Sequence, residues 1–150
     1  MKGFPLKLIF ALAVFSVLVY FNYSRAQKAL KDTKDSIITI DFLNPPTEAT
    51  AGSTVNFSWR VEAPGEFQTS YTTIFYGPVS TPSALTKQDS PEAVGYPNKV
   101  MDYIGSSSFL PDTFNLNITF PNTGKIWYRG YAKVREDHLW TEEKYLNLTP

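Results

Sequence analysis

Two stretches of this chain alternate apolar and polar residues with a strict period of two. Val55, Phe57, Trp59 and Val61 alternate with Asn56, Ser58 and Arg60, and Phe114, Leu116, Ile118 and Phe120 alternate with Asn115, Asn117 and Thr119. Side chains of a β-strand point to opposite faces in turn, so each stretch reads as a strand with one face in a core and one in solvent. Trp59 is the largest piece of that expected core.

The same period recurs along the chain. Ile38, Ile40 and Phe42 mark an early strand that Asn44-Pro45-Pro46 ends, since proline cannot donate to a ladder. Ala51-Gly52-Ser53 reads as a turn. Thr72, Ile74 and Tyr76 mark another strand, closed by Gly77-Pro78. Tyr128, Ala132 and Val134 alternate with Trp127, Arg129, Tyr131 and Lys133; residues 135–138 form the expected turn, and 139–148 the returning strand. Between them, residues 77–108 are rich in Pro, Ser and Thr, with a short edge strand expected at 100–104. A connection this long is uncommon in a compact domain unless it serves a function.

Composition narrows the class. The chain has 150 residues, 14 basic and 14 acidic, with 11 prolines, 15% aromatics and no cysteine. Without cysteine there is no disulfide framework, zinc-finger site or thiol nucleophile. Balanced charge argues against nucleic acid as the main partner, because such binding rests on a basic excess. About 115 residues remain beyond the N-terminus, enough for one core that buries roughly two-thirds of the unfolded surface.

The N-terminus carries a second signal. Residues 8–21 are apolar except Ser16, with Lys2 and Lys7 before them and Tyr20, Phe21 and Tyr23 at the end. Residues 4–21 suffice for a tilted bilayer span if Lys7 snorkels, with the aromatics at the interface. The run also fits the core of a signal peptide, with Ser24 and Ala26 placed for cleavage before Gln27. Basic residues flank both ends, so the positive-inside rule does not orient the segment. The signal-like order and the β-rich remainder place the N-terminus inside and the domain outside the cytoplasmic membrane. Residues 24–35 are polar, lack an apolar stripe and read as a solvated stalk. The expected organisation is a signal anchor or signal peptide at 1–23, a stalk at 24–35 and one β-sandwich at 36–150.

The strands resemble a fibronectin type III domain or a close immunoglobulin-like relative, over about residues 36–149. Val55–Trp59 is similar to the early family strand that ends in a core tryptophan. Phe120-Pro121 stands at the turn before a later strand on which Ile126, Tyr128, Arg129 and Ala132 fall on the family pattern, and Trp140-Thr141 follows the hairpin. Ile126 replaces the family's tyrosine, Gly130 replaces an apolar residue, the last hairpin lacks glycine, and 77–108 is longer than the family needs. The resemblance implies an all-β sandwich, of the kind that prokaryotic membrane-anchored cell-surface proteins carry, and implies no particular activity.

Enzyme chemistry finds little support. No H-E-x-x-H, G-x-S-x-G, P-loop or G-x-G-x-x-G sequence occurs, and no acidic calcium loop. The one histidine, His138, adjoins Asp137 in the expected turn, where neighbours point apart, and reads as solvated. Glu142-Glu143 and Glu136-Asp137 read as solvated charges rather than an ion site. The expectation is a non-enzymatic chain without metal or cofactor. Asn-x-Ser/Thr sequences occur at Asn22, Asn56, Asn117 and Asn147. Asn56, Asn117 and Asn147 fall on outward strand faces and are candidate glycosylation sites, although Asn and Thr also simply suit such faces.

With Tyr128 and Ala132 inward, Trp127, Arg129 and Tyr131 point outward, with Phe75 and Trp140 as expected neighbours. Aromatics around an arginine make a candidate recognition patch, unless the 77–108 segment folds over them. The main expectation is a membrane-anchored binding module meeting a cell-surface protein or glycan through this face. Two alternatives are a pilin-like filament subunit cleaved at Gly3-Phe4, where Leu8 stands in place of the usual glutamate, and a secreted carbohydrate-binding accessory module.

Overall fold

A computed structural model describes residues 16–27, 38–81, 83–101 and 107–150. The chain divides into two units, Met1–Ile37 and Ile38–Pro150. The expected anchor and stalk lie largely outside the described residues. Residues 16–27 are helical and run through the expected boundary between Tyr23 and Ser24. Among the described residues, no helix is long and apolar enough to cross a membrane.

Among its described residues the second unit has ten strands, β1 (Thr39–Phe42), β2 (Glu48–Thr50), β3 (Thr54–Glu62), β4 (Phe67–Gly77), β5 (Asn98–Lys99), β6 (Ser108–Leu110), β7 (Asp112–Thr119), β8 (Gly124–Val134), β9 (Asp137–Trp140) and β10 (Lys144–Thr149), with a one-turn helix at Pro91–Val94. One sheet has the order β1-β3-β7. The other has the order β2-β10-β8-β4-β5, with β6 on β4 and β9 on β8. All pairs are antiparallel except β2 with β10.

The alternation in β3 and β7 becomes one face of the core. Phe57, Trp59, Val61, Phe114, Leu116 and Ile118 are buried, while Asn56, Arg60, Asn115 and Asn117 are exposed. From the other sheet come Ile74, Tyr128, Ala132, Val134, Leu146 and Leu148. Aromatic rings bridge the layers, with Phe57 edge-on to Tyr128 at 4.9 Å between centroids. The polar tips within this core are satisfied, as burial requires. Trp59 Nε1 donates to Thr72 Oγ1 at 2.9 Å, and that hydroxyl donates to the Tyr131 carbonyl at 2.6 Å. The Tyr128 hydroxyl donates to the Pro46 carbonyl at 2.7 Å and so ties down the link between β1 and β2.

Two departures from the family pattern have physical explanations. A Cβ on Gly130 would lie 3.0 Å from the Thr141 methyl and 3.6 Å from the Phe42 ring, so these neighbours fill the space of the absent side chain. The glycine-free hairpin turns at Arg135, whose φ is 56°, with the Arg135 guanidinium 4.3 Å from the Phe67 ring centroid.

Several expected boundaries are corrected. The strand at Thr72–Tyr76 extends over Phe67–Gly77, with a register shift between Thr69 and Tyr71. The turn at 135–138 shrinks, because Asp137 and His138 pair with Val134 and Lys133. The single return strand at 139–148 is two strands, β9 and β10, broken at 141–143. Of the expected edge strand at 100–104, residues 100 and 101 are not in a strand and 102–104 lie outside the described residues; the short strand β5 at Asn98–Lys99 precedes them.

Candidate functional site

The outward face of the larger sheet is where the chain places its unusual residues. Along β8, Tyr128, Ala132 and Val134 enter the sandwich core, so Trp127, Arg129, Tyr131 and Lys133 face the other way. Phe75 of β4 and Trp140 of β9 join them, with the Tyr131 ring 5.5 Å from Phe75 and 4.6 Å from Trp140. The expected grouping of Phe75, Tyr131 and Trp140 is therefore present, and Tyr71 and Tyr96 complete it.

The expectation that these residues form an open patch is corrected. Phe75, Arg129 and Tyr131 are buried, and Trp140 is half-buried. Residues 78–81 and 83–101 fold over this part of the sheet and make a second, smaller core. Close approach is built in at Gly77, where a Cβ would meet the Pro97 ring at 2.7 Å.

Arg129 holds one end of this cover. Its Nη1 donates to the Thr141 carbonyl at 2.9 Å, its Nη2 to the carbonyls of Thr81 at 2.9 Å and Ser83 at 3.1 Å, and its Nε to the Tyr96 hydroxyl at 3.3 Å. Glu143 collects donors from the same segment: the Ser80 hydroxyl, the Thr81 N–H at 2.8 Å and hydroxyl at 3.0 Å, and the Tyr96 hydroxyl. Tyr96 thus links the buried guanidinium to the carboxylate. Burial pushes the Glu143 carboxyl up, but the hydrogen bonds from Ser80, Tyr96 and Thr81 outweigh it and hold the group below its ordinary value. Burial and the bond to Glu143 push Tyr96 up to about 12.

A second attachment lies at β9. His138 is half-buried rather than solvated, with its Nδ1 2.6 Å from the Tyr131 hydroxyl and its N–H donating to the Lys87 carbonyl at 3.0 Å. Asp137 pairs with Lys87 at 3.1 Å, and Trp140 Nε1 donates to the Asp89 carbonyl at 2.8 Å. Asp137 and Glu143 are thus engaged with the cover, and Glu142 pairs with Lys144 at 2.9 Å. Among the described residues, no cluster of side chains suited to a metal ion occurs.

The cover leaves the β8–β10 end of the face accessible. Trp127 is half-buried there, and its cross-strand partner Tyr145 is 41% exposed. Their rings lie 5.5 Å apart, and the Lys125 ammonium sits 4.9 Å from the first and 4.1 Å from the second. Asn147, opposite Lys125 in the ladder, shares this outward face with Thr149. Lys125 and Tyr145 were missed as site residues in the sequence. A signal existed: Leu139 and Leu146 both point inward yet are an odd number of residues apart, so an unbroken strand cannot serve both. Placing the break there would have put Tyr145 beside Trp127.

The other glycosylation candidates sit on the smaller sheet. Asn56 and Asn117 are exposed cross-strand partners, and Asn56 Nδ2 donates to Asn117 Oδ1 at 2.9 Å. Thr54 and Thr119 hydroxyls pair beside them at 3.2 Å.

No family model matches the chain, and no curated protein matches it. Among solved structures it is similar to the PKD domain of an M14-like peptidase from a Thermoplasmatales archaeon, at 13% identity over 76% of this chain and 94% of that one, with a TM-score of 0.45. It is also similar to an AA10 lytic polysaccharide monooxygenase from Streptomyces lividans, at 12% identity over 69% of this chain and 59% of that one, with a TM-score of 0.41. The strand order carries the assignment of architecture: β1-β3-β7 packed on β2-β10-β8-β4-β5, with β2 parallel to the last strand, is an immunoglobulin- or fibronectin type III-like β-sandwich.

Proposed function

We propose that this chain is a non-enzymatic, membrane-anchored β-sandwich module outside the cytoplasmic membrane. It binds a cell-surface protein or glycan through the β8–β10 end of its larger sheet. The observation that carries the reading is the contrast on one face: the aromatic centre lies under its own cover, while Trp127, Tyr145 and Lys125 stay accessible. Tryptophan and tyrosine are common elements of recognition surfaces, where large rigid rings supply contact area.

Support for the anchor comes from residues 16–27. Val17, Leu18, Val19, Tyr20 and Phe21 are all more than half exposed on a helix. An apolar helix surface calls for an apolar environment, and lipid supplies one when the run continues through residues 4–21.

The test uses the detergent-solubilised full chain and isolated cell envelopes of the source organism. Replacing Trp127→Ser together with Tyr145→Ser is expected to weaken envelope binding at least about tenfold, equal to about 1.4 kcal/mol, with the melting temperature nearly unchanged. Undiminished binding by the double variant would reject this surface.

A further inference from the structure

The three strand sequons are not equivalent. Asn56 donates its Nδ2 to Asn117 Oδ1, and the Thr119 hydroxyl of the second sequon is bonded to Thr54. That face has no aromatic residue among Thr54, Asn56, Ser58, Asn115, Asn117 and Thr119. Asn22 lies in a helical run, where residues two apart point to different sides.

Asn147 differs in its side-chain amide and in its neighbours, while the Thr149 hydroxyl of its sequon donates to the Ala49 carbonyl at 3.4 Å. Its backbone N–H is bonded to the Thr47 carbonyl at 2.9 Å, while its side-chain amide has no hydrogen-bond partner among the described residues. Thr149 stands two residues on, on the same outward face, as the acceptor sequence requires in an extended strand. Tyr145 stands two residues back on that face, and Trp127 lies opposite Tyr145, diagonal to Asn147. Neighbours at i±2 and on the diagonal lie roughly 7 Å away, within reach of a ring attached at Nδ2. The C–H face of a pyranose is apolar and matches an aromatic ring. Lys125 now sits over both rings, but it is exposed, and a surface cation–π contact is easily exchanged. Its ammonium can then donate to sugar hydroxyls.

We infer that Asn147 is an N-glycosylation site whose first sugar packs against Tyr145 and Trp127. The donor is a polyisoprenoid (pyro)phosphate-linked oligosaccharide, delivered by a membrane transferase. Asn147 Nδ2 forms a bond to C1 of the sugar, the bond from C1 to the phosphate oxygen breaks, the phosphate leaves with the electron pair, and one amide proton is released. This modification uses the same aromatic end as the proposed binding surface and rests on that end being open.

The test is peptide mass analysis of the full chain purified from membranes of the source cells. Trypsin cleavage after Lys144 releases a peptide that begins at Tyr145 and contains Asn147. That peptide is expected to carry the added mass of one or more sugars, lost in Asn147→Gln, with occupancy reduced several-fold in Tyr145→Ser. Finding the peptide solely at its unmodified mass overturns the inference. So does equal occupancy at Asn56, Asn117 and Asn147, since the aromatic pair would then select nothing. A bare Asn147 in a chain that still binds envelopes removes this inference and leaves the binding surface standing. A glycosylated Asn147 in a chain whose Asn147→Gln variant also binds no envelopes does the reverse.

Discussion

The larger sheet has two faces, and they are held by different physics. Its inner face is an apolar core, where Trp59, Phe57, Ile74, Tyr128 and Leu146 are fully buried and few polar atoms need partners. Its outer face carries a thinner layer under residues 78–81 and 83–101, pinned by hydrogen bonds that converge on Arg129 and Glu143. Apolar burial is non-directional and tolerates small shifts, whereas a buried guanidinium demands acceptors at fixed positions. The inner face should therefore set global stability, and the outer layer should open separately from it.

The sharpest contrast is between Trp59 and Arg129. Trp59→Ala is expected to cost about 3–5 kcal/mol in denaturant unfolding, because it empties the centre of the core. Arg129→Met strands the Thr81, Ser83 and Thr141 carbonyls and is expected to cost about 2–3 kcal/mol. That second loss should appear mainly as protease cleavage within 78–101 while the rest of the sandwich stays folded. If both variants lower the global transition alike, with no selective cleavage, the two layers form one cooperative unit.

Thr72 joins the layers, since its hydroxyl accepts from Trp59 and donates to the Tyr131 carbonyl. Thr72→Val is expected to cost about 1–2 kcal/mol, measured by chemical denaturation. An effect near zero would mean that the inner face does not depend on this bridge.

The smallest expected effect is on pH dependence. The Glu143 carboxyl is lowered in the folded chain, so its contribution is present above the unfolded value of about 4.5 and is lost as pH falls through the folded value. Tyr96 is raised to about 12, so its contribution is present below about 10 and is lost as pH rises through the folded value. Cleavage within 78–101 should therefore increase at both extremes, and Glu143→Gln should flatten the acidic limb. A variant that keeps the full acidic response would assign it to other carboxylates, such as Asp89, which is lowered by its hydrogen bonds from Thr86.

Much of the sandwich was legible because strand periodicity is a local signal. The alternation through Val55–Val61 and Phe114–Phe120 named the inward residues of β3 and β7, and Trp59 lies where that pattern put it. The three-residue β2 was not legible, because its parallel pairing with β10 joins residues about a hundred positions apart. Nor was the break between β9 and β10, although the phase of Leu139 against Leu146 carried it. The side to which Trp127, Arg129 and Tyr131 point was readable, whereas their exposure was not.

The sequence by itself determined which residues face the core, since a period of two is written residue by residue and follows from strand geometry. Only the tertiary structure decided what lies on the other side of that sheet. The cover has no periodicity, and its bonds from Arg129 to Thr81 and Ser83 span 48 and 46 residues. A local pattern cannot encode such a partner, because whether an outward side chain meets water or another segment depends on where distant chain returns. That return buried Phe75, Arg129 and Tyr131 and left Trp127 and Tyr145 at the accessible end.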